Sequence, residues 1–547
     1  MFLSLTVGKA IGTLILAVLL RFFYRLYQVR QLFRSAARDH GIPMLPHSFI
    51  FGHLIAVGKA MAKYPPGLNG GYLPFIMAKE YPELEVPGIM YFDMWPITPP
   101  MLTVFNPDMM AAFTQEPSLP KHPHLLAEFK PFTDLKDILT LSGAEWKRWR
   151  GIFNPAFSYK NILSLVPAFL EEIDVFSDYL KETAESGDVI RLEDKATLCT
   201  IDIIGRAVCN VRFHAQTSRN ILFETLIKQI NLLWISNAPD HLMNGLNPLR
   251  PYRMKRNNKI MKDILTPHIE SEVQKQLNGE NPEYKTIISL ASKAYLTEQS
   301  SSTSQKAQID QEFIDTVVAQ IKVFLLAGHD TTASGITYAY YLLHKNQHVL
   351  AKMRQEHDSV FGTDTSTARE QIAADPVLLN KLPYTIAFIK EVLRIFPPVG
   401  TIREGQKNHF LTHPETGQKF PTEGMMIFGV SFAVQRDPKY FPNPDEVIPE
   451  RWFAKEGEPL HVQKNTWRPF ELGPRNCIGQ ELAQVELRAI LAMTVRDLDI
   501  EICYPEDSPV VLGTKAYQVM QVGQVTGHPY LGMPARVKKR VNVPVVE

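Results

Sequence analysis

The segment FELGPRNCIGQELAQVELRAILAM, residues 470–493, constrains the fold more than any other part of the chain. It opens with turn-forming residues and continues with apolar residues at helical spacing, so Cys477 is predicted to lie at the start of a helix. The unpaired N–H groups and the dipole there favour a negative charge, and the thiol is expected to ionise more readily than a free cysteine. Gly473 and Gly479 allow a flat ligand to approach the backbone, and Arg475 adds a charge suited to a carboxylate. The segment therefore indicates a cysteine that meets a flat, anionic ligand.

Composition and charge narrow the class of protein. The chain has 547 residues, 45% of them apolar, which suits a large folded core. The 58 basic and 57 acidic side chains leave a net charge of +1, so nothing in the charge balance favours nucleic-acid binding. The three other cysteines, Cys199, Cys209 and Cys503, lie in apolar surroundings and form no zinc-type or redox pair.

The pattern of apolar residues predicts a mainly helical protein. Long amphipathic segments cover residues 165–184 and 311–345, whereas strand-like runs such as MMIFGVSF, residues 425–432, are short and concentrated toward the C-terminal half. We therefore expect a mainly α fold with small β-sheets.

The loop around Cys477 resembles the signature of the cytochrome P450 family. Phe470, Gly473, Arg475, Cys477 and Gly479 match that signature position for position. A lone cysteine before a helix would more often be structural, but five matches are highly specific. The resemblance implies that Cys477 binds the iron of heme b (haem b), that thiolate ligation favours O–O cleavage, and that the other four residues contact the haem.

The segment LAGHDTT, residues 326–332, carries a second resemblance to the same family. It lies inside a long predicted helix, where a glycine costs about 1 kcal/mol relative to alanine, so some compensating contact is expected. Ala327, Gly328, Asp330 and Thr331 match the family's oxygen-binding helix. The resemblance implies that Ala327 and Gly328 lie beside the haem, and that Thr331 and Asp330 are catalytic residues that assist oxygen activation and relay protons.

Further matches concern the haem carboxylates. Trp146 and Arg150 in GAEWKRWRGIF match the family's W-x-x-x-R helix, and Arg403 in VGTIRE occupies a position where the family often has another propionate contact. An aromatic and a basic residue at this spacing often just flank a core face. With the resemblance, Arg150, Arg403 and Arg475 are expected to neutralise the two propionates.

A scaffold is expected beneath the haem loop. Glu391 and Arg394 stand three residues apart on one helical face and match the family's E-x-x-R, with Arg451 of PERW as the third member. Most such pairs are surface salt bridges of small effect. In one departure from the family, Gln435 of QRD stands where many members have histidine, and we expect no consequence.

The N-terminus predicts a membrane anchor. Residues 1–24 are apolar over roughly the 20 residues that span a bilayer, with Lys9 as an interruption. Five arginines, the first of them Arg21 near the end of this stretch, precede the first acidic residue, so the body should face the cytosol. A cleaved signal peptide is the alternative, but no small-residue cleavage site follows. The predicted organisation is a transmembrane signal anchor at 1–24, a basic and proline-containing hinge at 25–46, and a haem domain at 47–547, in a single-pass protein of the endoplasmic reticulum membrane.

The partners follow from what the chain lacks. It contains no G-x-G-x-x-G or other recognisable flavin or nicotinamide site, so electrons must come from another protein. The resemblance implies NADPH through an NADPH-cytochrome P450 reductase, with cytochrome b5 as an optional second donor. The reductase is expected to dock near Lys147 and Arg148.

The implied reaction inserts one atom of O2 into an organic substrate. The anchor and the segment Leu232–Arg253, expected to form a lid that meets membrane lipid, favour an apolar small molecule. Resemblance to microsomal enzymes of filamentous fungi implies a tailoring step in secondary metabolism. The alternatives are a family member that desaturates or rearranges peroxides, and a haem-binding sensor without turnover. Asp330 with Thr331 argues against peroxide rearrangement.

Overall fold

A computed structural model describes residues 2–84, 87–115, 118–233, 247–300, 309–520 and 526–540, with side chains from residue 9 onward. The chain is mainly helical with small sheets, which confirms the predicted fold class. Its α-helices are α1 (Phe2–His40), α2 (Leu54–Met61), α3 (Leu73–Glu80), α4 (Pro107–Thr114), α5 (Pro123–Thr133), α6 (Gly143–Phe153), α7 (Tyr159–Ser186), α8 (Leu192–Cys209), α9 (Ile221–Ile230), α10 (Arg250–Leu277), α11 (Ile287–Ser300), α12 (Gln311–Lys345), α13 (Gln347–Phe361), α14 (Ala368–Ala374), α15 (Pro383–Ile395), α16 (Ser431–Gln435) and α17 (Gln480–Thr494).

Helix α12 is the central element of the helical core. Its N-cap, Asp310, accepts a hydrogen bond from the backbone N–H of Glu312, and most of its side chains are buried. Helix α8 packs along it. A Cβ at Gly328 would lie 2.6 Å from the side chain of Ile204 on α8, so only glycine permits this approach. Close helix packing thus offsets the helix-weakening effect of Gly328 that the sequence raised.

The sheets are small, as expected, and eight of the eleven described strands lie in the C-terminal half, where the pattern concentrates them. The strands are β1 (Ile89–Phe92), β2 (Met101–Val104), β3 (Val189–Arg191), β4 (Thr401–Glu404), β5 (Phe410–Thr412), β6 (Lys419–Pro421), β7 (Met426–Gly429), β8 (Leu498–Ile502), β9 (Gln518–Val519), β10 (His528–Pro529) and β11 (Pro534–Lys539). The largest sheet has the order β1-β2-β7-β4, with β2 and β7 parallel and the other pairs antiparallel. It therefore joins the N-terminal half of the chain to β4, which carries Arg403.

The N-terminal helix extends beyond the predicted anchor. Residues 25–40 of the predicted hinge continue α1 as one helix, and the prolines of that segment follow its end. Within the described residues, Lys9–His40 is the single helix long and apolar enough to cross a membrane, and its apolar stretch is almost wholly exposed. Its C-terminal part differs, because Leu26, Val29 and Phe33 are buried.

Arg30 fastens this C-terminal part of α1 to the globular body. Its guanidinium is fully buried and forms an ion pair with the equally buried Asp93. It also donates to the carbonyl oxygens of Phe49 at 3.0 Å, Ile50 at 2.8 Å and Trp95 at 3.1 Å. Every described contact of Arg30 is thus with the body, and the end of α1 belongs to the folded domain.

Candidate active site

The loop before α17 holds Cys477 in a fixed position. The backbone N–H of Cys477 donates to the carbonyl oxygen of Phe470 at 2.8 Å, and Asn476 N–H donates to Gly473 O at 3.1 Å. These bonds fold the loop into a tight turn that places the cysteine two residues before Gly479, the N-cap of α17. The predicted position of Cys477 near a helix start is therefore what the structure shows.

The expectation of a readily ionised thiol is wrong for the protein chain alone. Cys477 is accessible to solvent-sized molecules, yet protein surrounds it on most sides, and this burial raises the pKa of its thiol. The backbone N–H of Gly479 and the charge of Arg150 oppose the shift without reversing it. Binding of a metal ion releases the proton of a cysteine ligand, so a thiolate at this position would form on metal coordination.

The two glycines of the loop serve different contacts. Gly473 has a φ of +92°, and a Cβ there would lie 2.4 Å from the carbonyl oxygen of Thr114 at the end of α4. Only glycine fits that close approach. A Cβ at Gly479 would meet nothing nearer than the Cys477 sulfur, at 3.8 Å. The space beside Gly479 thus lies open next to the sulfur.

The structure brings together three of the predicted propionate contacts. Arg150 on α6 donates to Asn476 O and Oδ1, both at 2.9 Å, directly beside Cys477. Arg475 lies 4.5 Å from the ring centroid of the buried Trp146 and donates to Leu141 O at 2.6 Å. Burial lowers the pKa of Arg475 to about 10, and the charges of Arg403 and Arg150 add to this shift. The three arginines therefore share one electrostatic environment.

Lys121 belongs to the same group, although it has no counterpart in the sequence analysis. Burial lowers the pKa of its ammonium well below the ordinary value, with Arg403 and Arg475 contributing repulsion. Within the described residues, Lys121, Arg150, Arg403 and Arg475 have no carboxylate oxygen within 4 Å. Lys121 lies in the sequence PKHP, residues 120–123, which matches no motif and has no helical or strand periodicity. Its place in the site could therefore not be predicted from the sequence.

These residues fit a haem. Arg403 is 1% exposed, and its Nε is a buried donor without a hydrogen-bond partner, which in a folded protein calls for an acceptor. Four cations without a carboxylate partner suit a ligand that carries two carboxylates. A cysteine sulfur beside an open glycine supplies the donor for its iron. Trp146, Arg150, Arg403, Arg475 and Lys121 would hold the carboxylates, and Cys477 the metal.

Helix α12 presents the predicted catalytic residues. Ala327 is exposed and Thr331 half-exposed, although the helix around them is buried, so protein does not cover this short face of α12. The Thr331 hydroxyl donates to Ala327 O at 2.9 Å. Asp330 is buried and pairs with His528, which the sequence analysis did not single out. Gly328 packs against α8, as described above, while its backbone borders the same face.

The E-x-x-R scaffold is buried and not a surface salt bridge. Glu391 and Arg394 are 0% exposed, with Arg394 Nε and Nη2 bonded to the Glu391 carboxylate at 2.8 and 2.9 Å. Arg451 lies 3.5 Å from the same carboxylate. Arg394 also donates to three backbone carbonyl groups, including that of Gln435 at 2.9 Å. The triad therefore ties α15 to the chain that leads into the haem loop.

Gln435 has a larger role than expected. Its amide donates to the carbonyl oxygens of Leu393 at 3.1 Å and Arg394 at 2.9 Å, and it accepts from the backbone N–H of Arg468 at 2.6 Å. One fully buried side chain thus links the end of α15 to the segment just before Phe470. A glutamine amide supplies the two donors and the acceptor that these bonds need. That the departure from histidine has no consequence stays a prediction.

Two other predictions concern the surface. Lys147 and Arg148 are both exposed on α6, and Arg148 forms ion pairs with Glu298 at 2.6 Å and Glu145 at 3.4 Å. Of the predicted lid, Leu232–Arg253, residues 234–246 lie outside the described residues, and α10 begins at Arg250.

Comparisons with known proteins agree with this site. The family model described as Cytochrome P450 matches residues 89–523. The chain is 34% identical over 543 residues to Cytochrome P450 monooxygenase polC of Polytolypa hystricis, covering 97% of this chain and 96% of that protein. It is 33% identical over 472 residues to Cytochrome P450 monooxygenase acrF of Aspergillus aculeatus, covering 81% and 93%. The crystal structure of the cytochrome P450DA heme domain has a TM-score of 0.68 at 20% identity, covers 91% of this chain and 97% of that one, and shows the same fold.

Proposed function

Because this chain belongs to the Cytochrome P450 family and is a monooxygenase of that family, we propose that it oxidises an apolar small molecule in a tailoring step of fungal secondary metabolism. The observation that best supports this proposal is the position of Cys477 near the start of α17. Four cationic side chains lie in the same region and have no carboxylate partner within 4 Å among the described residues: Lys121, Arg150, Arg403 and Arg475. The fungal relatives support the metabolic setting, and the membrane anchor supports an apolar substrate.

Haem bound at this site supplies oxygen activation, with electrons from NADPH through a separate reductase and O2 as co-substrate. The chain's own residues do the rest. Cys477 would ligate the iron, and Trp146 with the cation group would fix the carboxylates and so orient the ring. Thr331 and Asp330 on α12 would hold and deliver protons.

Incorporation of labelled oxygen tests the proposal. Purified full-length protein, loaded with haem, would be combined with the reductase and NADPH and screened against apolar metabolites under 18O2. We expect one labelled oxygen atom per product molecule. A haem-loaded protein that consumes neither NADPH nor O2 with the reductase would instead be the sensor considered above.

Replacing Thr331 by alanine should uncouple the reaction. Alanine removes the hydroxyl that now donates to Ala327 O, and as the better helix former it leaves α12 intact. Proton delivery should then fail while substrate and haem still bind, so product formed per NADPH oxidised should fall about tenfold or more, with hydrogen peroxide rising in parallel. Thr332, its buried neighbour, offers the control variant Thr332→Ala. An unchanged ratio in Thr331→Ala would mean that this hydroxyl has no part in proton delivery.

A truncation that removes the membrane anchor should end at Phe22, because a longer one would also remove residues of the folded domain. We propose that α1 spans the endoplasmic reticulum membrane, with the body on the cytosolic side as the arginines after the apolar stretch favour. Deleting residues 2–22 should release a folded protein, because from Lys9 onward, where side chains are described, every buried residue of α1 lies after them. Deleting residues 2–35 also removes Arg30 and leaves the buried Asp93 carboxylate without its guanidinium partner, with His47 Nε2 still at 2.8 Å, a loss of up to about 3–5 kcal/mol.

Carbonate washing and urea unfolding test these two truncations. Full-length protein should stay with the membranes after the wash, and recovery of intact protein in the wash would refute a spanning anchor. The shorter truncation should keep haem and a normal urea midpoint, whereas the longer one should unfold at lower urea. Equal midpoints would show that Arg30 contributes nothing to the domain.

We also propose that the reductase docks at the α6 surface that exposes Lys147. That side chain is exposed one residue after Trp146, so a partner bound there would lie close to a residue that would hold a haem carboxylate. Lys147→Glu should raise the KM for the reductase, with a steep dependence on ionic strength, and leave haem content unchanged.

A further inference from the structure

Three side chains from distant parts of the chain form a buried cluster behind Asp330. Glu193 lies in the first turn of α8, Asp330 on α12 and His528 on β10, and they are 5%, 6% and 4% exposed. The Nε2 of His528 lies 3.0 Å from Asp330 Oδ1. Its Nδ1 is bonded to the Glu193 carboxylate. One imidazole therefore bridges two carboxylates, one of them the predicted proton-relay acid.

The backbone around His528 is held independently of this bridge. The Ser334 hydroxyl donates to Gly527 O at 2.8 Å, and Gly527 N–H donates to Pro398 O at 2.9 Å. The Thr526 hydroxyl lies 3.0 Å from His528 Nε2. The Thr526 contact is to the imidazole itself, but the two contacts of Gly527 fix the segment through its backbone. A change of the side chain at 528 should therefore alter the bridge and leave the segment in place.

The charges of the cluster favour a protonated imidazole and an ionised Asp330. Burial works against the charge on His528, but the neighbouring carboxylates of Asp330 and Glu193 raise its pKa to about 10. Burial likewise acts to raise the pKa of Asp330, but the charge and hydrogen bond of His528 outweigh it and hold that pKa below its ordinary value. The imidazolium thus leaves Asp330 as a carboxylate, fixed in one orientation.

We propose that His528 is a positioning residue for Asp330, and that Glu193 keeps His528 in its charged, bridging form. This inference rests on the proposed monooxygenase function. His528 turns the Asp330 carboxylate to one defined side of α12 and holds it ionised between turnovers, so that it can accept a proton from solvent and pass it on toward the Thr331 side. The C-terminal strand β10 thereby becomes part of the catalytic apparatus.

Kinetics of the holoenzyme can separate positioning from a purely structural effect. The readout is NADPH consumption with the reductase in H2O and in D2O, without added substrate. His528→Gln should slow it about tenfold or more and increase the solvent isotope effect, as Asp330→Asn should. The double variant should behave like Asp330→Asn alone, because His528 acts only through Asp330. The proposal would be overturned if the rate loss in the double variant equalled the product of the losses in the two single variants.

A second readout is the pH dependence of stability, which needs no turnover. The folded-state pKa of His528, about 10, lies above the unfolded value of 6.5, so its stabilising effect is complete below pH 6.5 and disappears as pH rises through 10. The other titratable groups facing the cluster are His329 on α12, whose pKa burial lowers, and Tyr338 and Tyr504, whose pKa values burial raises. These groups stay neutral across that window, and Asp330 stays ionised.

The urea midpoint of wild-type protein should therefore exceed that of His528→Gln at pH 6.5 and lose that advantage toward pH 10. Glu193→Gln, which keeps the imidazole and a hydrogen-bonding partner, should move the loss to lower pH. His357→Gln is the matched control, because His357 is an equally buried histidine that bonds Thr385 and has its pKa lowered by burial to about 3. Its effect should not change between pH 6.5 and 10.

The outcomes distinguish this inference from the proposed function. A pH-independent difference between wild type and His528→Gln would show that His528 carries no charge, and the positioning role would fail. Absence of reductase-dependent NADPH consumption in the wild-type holoenzyme would refute the proposed function, whatever the stability data show.

Discussion

Glu391→Ala is expected to lower the free energy of unfolding by about 3–5 kcal/mol and to abolish haem retention. The substitution leaves Arg394 and Arg451 as buried guanidinium groups without their shared carboxylate. Glu391 Oε2 also accepts the backbone N–H of Ile448 at 3.0 Å, so the chain that leads to Arg451 loses an anchor as well. The measurement is the urea midpoint together with haem bound per protein.

Glu450→Ala is the matched control for that variant. Glu450 precedes Arg451 in the sequence, but it is exposed and pairs at 2.8 Å with the exposed Lys352. Its loss should change stability by no more than about 1 kcal/mol. If Glu391→Ala behaved like Glu450→Ala, the buried triad would have no special part in holding the haem loop.

Cys477→Ser should eliminate monooxygenase turnover. The serine hydroxyl is a far weaker acid than a thiol and a poorer donor to haem iron, so the electron donation that promotes O–O cleavage is lost. Haem should still associate in part, because the cations around Arg403 and Arg475 are unaffected. Cys503→Ser is the control, since that half-buried thiol contacts only Glu501 O among the described polar groups, at 3.4 Å. Turnover that survives Cys477→Ser would place the iron ligand elsewhere.

Many residues of the candidate site could be predicted from local sequence motifs. The spacing of apolar residues predicted that Cys477 lies near the start of a helix. The family resemblance predicted that four further residues bind the haem carboxylates: Trp146, Arg150, Arg403 and Arg475. The structure gathers three of these around the cysteine, with Arg403 in the same electrostatic environment. This worked because each motif lies on a single element whose geometry its own residues determine.

What the sequence could not show depends on contacts between distant segments. His528 approaches Asp330 only because β10 folds back against α12, and no local pattern around His528 signals a carboxylate partner. Arg30 follows an apolar stretch and was counted among the charges that set membrane orientation. In the folded chain it is buried against Asp93 instead. Such pairings are decided by tertiary packing, which sequence periodicity does not encode.

The contacts of Gln435 also depend on tertiary packing and could not be predicted from the sequence. Gln435 stands where many family members have histidine, and the sequence around it shows no role for the side chain. Its three hydrogen bonds to Leu393, Arg394 and Arg468 appear only once α15 and the haem loop are placed side by side. A glutamine side chain can make all three bonds, because its amide group donates two hydrogen bonds and accepts one.

The central claim is that Cys477 ligates haem iron as a thiolate. The most direct measurement is the absorption spectrum of the purified, haem-loaded protein after reduction and exposure to carbon monoxide. The account predicts a strongly red-shifted Soret band in the wild-type protein and in Cys503→Ser, and its loss in Cys477→Ser. A red-shifted band that persists in Cys477→Ser, or a wild-type protein that binds haem and never shows the band, would contradict it.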